Sequence, residues 1–140
     1  MNGRKITSKI LKNKITFINL WFEACVPCLA ETAALNNLYE EYKHQKKFQF
    51  FSFTFETKEN VERIVKKYNF KFRILLISLD SIKLINYEQG FPVSMIIDKK
   101  GKISLFTAGG PSNPKMAQEK FNIFIKPALN LKLRKKKMYN

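Results

Sequence analysis

The chain has 140 residues, with 26 Lys and Arg against 11 Asp and Glu, a net charge of +15, thirteen Phe and two Cys. That length fits one domain able to bury a core without cross-links, and a hydrophobic share of 45% excludes a disordered chain. No stretch approaches the roughly 20 apolar residues of a membrane span, and residues 1–15, interrupted by Lys throughout, lack the apolar centre and small-residue cleavage site of a signal peptide.

The positive charge is concentrated at the ends. Arg4, Lys5, Lys9, Lys12 and Lys14 open the chain, Lys132, Arg134, Lys135, Lys136 and Lys137 close it, and neither run contains an acid. Between them, residues 15–131 carry sixteen bases and eleven acids, scattered rather than striped, which argues against a specific nucleic-acid surface. The organisation expected is a basic segment at 1–13, one domain at 14–131 and a basic tail at 132–140. Such tails are solvated, with at most weak attraction to an anionic membrane surface.

The first predicted element is a strand at Lys14–Trp21, "KITFINLW", apolar on both faces as a covered central strand should be. A helix follows from Val26, with Leu29, Ala33, Leu35, Leu38, Tyr39 and Tyr42 at three- and four-residue steps. Pro27 suits its first turn, where the missing N–H costs nothing. "FQFFSFTF" at Phe48–Phe55 predicts a second strand, and Lys58–Tyr68 an amphipathic helix with Val61, Ile64 and Val65 inward. Phe72–Leu79 is a third apolar run, less clearly a strand, with a short segment to Tyr87 after it. Val93–Ile97, a turn at Asp98–Gly101 and Lys102–Phe106 form a hairpin. Pro114–Leu131 has a helical pattern, with Met116, Phe121, Phe124 and Ile125 available to a core. This order gives an α/β domain, a central mixed sheet with helices on both faces.

Cys25 and Cys28 stand where the first strand hands over to the first helix. Two thiols at this spacing can close a disulfide across one helical turn, and the helix N-terminus, with unpaired N–H groups and partial positive charge, favours a thiolate on the first. Cys25 is then the nucleophile, and Cys28 the thiol that resolves a mixed disulfide. A structural bridge and a metal site are the other readings. Structural zinc takes four ligands, and beyond the two thiols the chain has a single His, His44, expected on a solvent-facing helix surface.

"INLWFEACVPCLAE", followed at a distance by "GFPVSMIIDKKGKI", resembles the thioredoxin superfamily, and within it the TlpA/ResA-like extracytoplasmic thiol-disulfide oxidoreductases. The resemblance runs from about Thr16 to Gly109. It implies a thioredoxin fold, no cofactor other than a redox-active Cys25–Cys28 disulfide, and no metal. It implies that Pro92 is a cis-proline facing the cysteines, so that the Phe91 backbone can pair with an extended substrate strand, with Trp21 and Pro27 completing the substrate surface. Glu31 matches an acid that can move a proton during exchange if burial raises its pKa. Ala24 stands where the family has a second Trp, and Asn19 where cytosolic thioredoxins have a buried Asp; both fit the ResA-like branch better. Glu23 would raise the Cys25 pKa if close. Val26-Pro27, bringing no cation to the thiolate, favours a reductant.

The resemblance further implies protein thiol or disulfide substrates, a membrane electron donor, and residence in the periplasm or on the outer face of a bacterial membrane. Apocytochrome c, in cytochrome c biogenesis, and oxidised secreted proteins are the candidate clients. A disulfide oxidase or isomerase, and a non-catalytic binding module with basic tails, are the competing functions.

Overall fold

A computed structural model describes residues 8–134 of the chain. It contains a five-stranded sheet in the order β3-β2-β1-β4-β5. The strands are β1 (Ile15–Trp21), β2 (Phe48–Thr54), β3 (Ile74–Leu76), β4 (Val93–Ile97) and β5 (Ile103–Ala108). β1, the central strand, pairs parallel with β2 and antiparallel with β4. All seven of its residues are buried, as the two-faced apolar run requires.

The helices are α1 (Val26–Ala30), α2 (Thr32–Tyr42), α3 (Lys58–Tyr68), α4 (Leu79–Ile85), α5 (Pro114–Lys120) and α6 (Lys126–Leu133), the last two joined by a π turn at Phe121–Ile125. Strand side chains alternate between faces. Ile15, Phe17 and Trp21 of β1 therefore join one buried cluster with Leu35 and Leu38 of α2, Val61 and Ile64 of α3, and Phe121, Ile125 and Leu129. Ile18 and Leu20 face the other way, packing with Phe53, Val93, Met95 and Ile97 under Leu11 and Ile85.

Local chemistry sets the element ends. Thr57 caps α3, its hydroxyl accepting the Asn60 N–H at 3.2 Å, and Asn69 closes that helix in the left-handed region (φ 56), a conformation Asn tolerates. Ser78 caps α4 through the Ser81 N–H at 3.1 Å. Since the Thr57 cap satisfies an otherwise orphaned donor, Thr57→Ala lowers unfolding free energy by about 1 kcal/mol, read from the denaturation midpoint at unchanged m-value.

Several expected boundaries and faces shift. The apolar run 72–79 forms only a three-residue strand, because Ser78 already caps α4. β2 stops at Thr54, one residue short of Phe55, and β5 runs Ile103–Ala108 rather than 102–106. The first helix is broken at Glu31, whose N–H closes a tight i−3 bond to the Cys28 carbonyl at 3.2 Å. The bend turns Ala34 inward and leaves Ala33 exposed. In the last helical segment Phe121 and Ile125 are buried as expected, but Met116 and Phe124 are 56% and 60% exposed. Ala117 and Leu129 take their places. Positions 117, 121, 125 and 129 advance by four, which overshoots an α-helical turn of about 3.6 residues; the wider π turn absorbs that drift and keeps one stripe on the sheet.

α6 continues to Leu133, two residues past the expected domain limit at 131. Of the basic N-terminal segment, residues 8–13 are described and include a 3-10 turn at Ser8–Leu11; residues 1–7 and residues 135–140 of the tail lie outside the described residues. No helix among the described residues is long and apolar enough to cross a membrane.

Candidate active site

β1 delivers the chain through Phe22 to Cys25, which caps α1 with extended backbone (φ −87, ψ 98). Its N–H is held by the Phe22 carbonyl at 3.2 Å, and its sulfur accepts the Cys28 N–H at 3.2 Å. Pro27, in the first turn, has no N–H to satisfy. Cys25 and Cys28 are joined as a disulfide with Cα atoms 5.2 Å apart. Both are nearly sealed, at 6% and 4% exposure, whereas Val26 between them is 61% exposed. Val26 thus marks the exposed tip of α1, with the two sulfurs beneath it. A trough of about 620 Å³ exists on the opposite sheet face, among Leu11, Phe51, Phe53, Met95 and Ile97, and neither cysteine lines it.

The Phe91–Pro92 bond is cis. Phe91 meets Phe22 edge to face at 5.0 Å and Phe55 at 6.1 Å, and Phe22 stacks on Phe55 at 5.7 Å. This aromatic trio joins the loop before Cys25 to the loop of Pro92. Phe55 was legible only as the end of an apolar run. The Pro92 carbonyl accepts the Gly109 N–H at 2.8 Å, tying that loop to the end of β5.

Glu31 is fully buried at the helix bend. Its Oε1 lies 3.5 Å from Lys120 Nζ, and Oε2 has no hydrogen-bond partner. Burial pushes its carboxyl up to about 7, with the Lys120 charge and hydrogen bond pulling partly the other way. Lys120 is brought over Glu31 because the C-terminal helices lie along α2. Asn37 donates to Gln118 at 2.8 Å, Lys126 pairs with Glu41 at 2.9 Å, and the Tyr42 hydroxyl donates to Asn130. Lys120, 89 positions from Glu31, left no signal in the sequence. Gly110 was equally invisible: a Cβ there would lie 3.1 Å from Glu31 Oε1 and 3.6 Å from Pro92 Cγ.

Two expected roles change. Trp21 is 2% exposed and packs edge-on against Phe70 at 5.2 Å, so it is core and offers no face to a substrate. An apolar side chain on the inner face of the central strand is covered by the helices above it. Glu23 is ion-paired with Arg63 and its N–H donates to Glu56 at 2.9 Å, so its charge is compensated there rather than turned on the thiol. Beneath the site, Ser52 donates to Asn19 Oδ1 at 3.0 Å, and Asn19 Nδ2 donates to the Val93 carbonyl at 3.4 Å; the Asn19 position carries a neutral bridge between strands. His44 is exposed, and among the described residues no group of three or more His, Cys, Asp or Glu could hold a metal.

Residues 1–106 match the AhpC/TSA family. This chain belongs to that family. It is 36% identical over 105 residues to the thiol-disulfide oxidoreductase ResA of Bacillus cereus, covering 74% of this chain and 60% of that protein. Against the ResA of Geobacillus thermodenitrificans it is 30% identical over 110 residues, 78% of this chain and 63% of that one. The chain thus spans about 60% of the length of the curated relatives it matches. Among solved structures it resembles a thiol:disulfide interchange protein of the thioredoxin family from Chlorobium tepidum, with TM-score 0.67, 20% identity, and coverage of 92% of this chain and 86% of that one. It also resembles StoA from Bacillus subtilis, with TM-score 0.62, 20% identity, and coverage of 77% and 82%. The fold is the thioredoxin fold in a single domain.

Proposed function

We propose that this member of the AhpC/TSA family is a thiol-disulfide oxidoreductase that reduces disulfides of extracytoplasmic proteins. The observation that carries the reading is Cys25 at the cap of α1, its sulfur accepting a backbone N–H from the helix it opens. A thiolate there is stabilised by that donor and by the partial charge of the helix end.

The Cys25 thiolate attacks one sulfur of the client disulfide. An S–S bond forms between enzyme and client, the client S–S bond breaks, and the departing client thiolate takes up a proton. Cys28, deprotonated, then attacks the Cys25 sulfur, closing the Cys25–Cys28 disulfide and releasing the second client thiolate. Two electrons pass to the client; Glu31, one turn on and buried, is the group proposed to accept the Cys28 proton and return it to the second client thiolate, while solvent, which took the Cys25 proton, supplies the first. A dithiol donor must return the pair of electrons; the resemblance to ResA-like proteins supports one in the membrane. The Phe91–Pro92 backbone and Pro27 are the proposed docking surface, and both Pro92 Cγ and Glu31 Oε1 border the space that a Cβ at Gly110 would fill. The reducing direction is supported by Val26-Pro27, which puts no cation beside the thiolate; residence in a periplasm or on the outer face of a membrane is part of the same proposal. Apocytochrome c and oxidised secreted proteins are the client classes proposed, and the basic ends would add weak membrane-surface attraction.

Trapping tests this. Cys28→Ser protein, unable to resolve, accumulates mixed disulfides through Cys25 that are released by dithiothreitol and absent in Cys25→Ser,Cys28→Ser protein. A preparation that captures nothing in its native compartment contradicts the proposal, and a reduction potential above about −200 mV contradicts the reducing direction.

A further inference from the structure

Lys120 is one of sixteen bases in the body of the chain, but its side chain is only 16% exposed. Its Nζ donates to the Gly109 carbonyl at 2.9 Å and lies 3.5 Å from Glu31 Oε1. Gly109 in turn donates its N–H to the Pro92 carbonyl at 2.8 Å. One ammonium therefore touches both the bend that follows the cysteines and the strand end bonded to the cis-proline loop. An ammonium is a point charge on a flexible stem with three donors, so it can shift between two acceptors without rebuilding either. The helix leaves α-geometry at the very next residue, Phe121.

We infer that Lys120 is a positioning residue that acts on exchange through Glu31, setting when that carboxyl holds its proton and coupling the proton to the Gly109–Pro92 segment. The inference rests on the oxidoreductase reading and deepens it. With Glu31 protonated, the ammonium stays on the Gly109 carbonyl. With Glu31 ionised, as it is before accepting the Cys28 proton, Oε1 draws the ammonium toward itself and loosens its hold on the segment bonded to Pro92. Gly110, where a Cβ would lie 3.1 Å from Oε1, carries no charge, and Lys120 is the charged partner that acts on the carboxyl. On its own segment the ionisable neighbours are Cys25 and Cys28, which do not titrate as a disulfide.

The test begins with the oxidised protein, where carbon-13 NMR of the Glu31 carboxyl reads its midpoint free of thiol titration. Lys120→Met, and Lys120→Gln as the neutral variant still able to bond Gly109, each raise that midpoint by about one pH unit or more, the effect of losing an opposite charge at this range. Lys120→Arg stays near the wild type. In the reduced protein, the pH profile of disulfide reduction moves the same way in Lys120→Met and Lys120→Gln. In a Glu31→Gln background the Lys120 substitutions move it no further. A Glu31 midpoint unchanged in a folded Lys120→Met or Lys120→Gln protein overturns the inference, as does a profile shift that persists without Glu31. Failure of the oxidoreductase reading shows separately, as wild-type and Cys25→Ser proteins reducing a disulfide equally poorly; the carboxyl titration still decides whether Lys120 governs Glu31.

Discussion

Cys25→Ser lowers the rate of disulfide reduction by more than about a thousandfold, to the background of the assay's own thiols, because it removes the attacking sulfur and leaves a hydroxyl that does not ionise at neutral pH. Exposure does not tell the two cysteines apart, since both are nearly sealed at 6% and 4%. Electrostatics does: Cys25 sits at the helix cap and accepts an N–H, whereas Cys28 is one turn inside and supplies that N–H from its own backbone. In the reduced protein Cys25 is accordingly alkylated first by iodoacetamide, with a pH midpoint below the free-thiol value of about 8.5. The fold survives the substitution. A disulfide closing so short a loop contributes only about 2 kcal/mol, against a total of roughly 5–15 for a domain, so Cys25→Ser matches the reduced wild type in denaturant midpoint. Equal rates for wild type and Cys25→Ser would remove the enzyme reading altogether.

Glu31 makes stability fall as the pH rises from 5 to 8. Its carboxyl is pushed from an ordinary 4.5 to about 7 by burial, against the pull of Lys120. Between those values the folded chain binds more protons than the unfolded one, so unfolding free energy declines with rising pH. Below the unfolded value both states hold the proton and no penalty exists; above about 7 both have lost it and the penalty is complete, on the order of 3 kcal/mol. This is opposite in sign to a salt-bridged surface carboxylate. Glu31→Gln, neutral throughout, flattens the slope across this window and is the more stable protein at pH 8, as measured by urea midpoints at several pH values. A wild-type slope that Glu31→Gln leaves unchanged would show that the buried carboxyl is not its source.

How much of this was legible in the sequence depended on the range of the interaction. Periodicity and turn chemistry are local, and they placed β1 as the covered central strand, α3 over Lys58–Tyr68 and β4 over Val93–Ile97. Cys25 at a helix start followed from a strand-like run meeting a helical one, with Pro27 as the marker. The inward face of the C-terminal helix was misjudged at Met116 and Phe124, because a π turn changes the period and nothing in "FNIFI" announces it. Ala33 was misjudged for a related reason, the bend at Glu31 that resets the register of α2. Trp21 was assigned to the substrate by resemblance, but its covering by Phe70 depends on a contact across 49 residues that no spacing rule reports. Lys120, Gly110 and Phe55 became visible as neighbours of the site only when the helices and loops were laid against one another.

The bend at Glu31 has a bearing on how such proteins diverge. Because α1 ends there, the helix that Cys25 caps and Cys28 enters is only five residues long. Val26 points into solvent and Pro27 is partly exposed, so the dipeptide between the sulfurs can be exchanged without rearranging the interior. The dipeptide can therefore vary with little disturbance of the core, whereas Glu31 ties proton transfer and stability to one buried carboxyl. Substitutions at Val26 and Pro27 are accordingly expected to alter the thiol chemistry more than the denaturation midpoint.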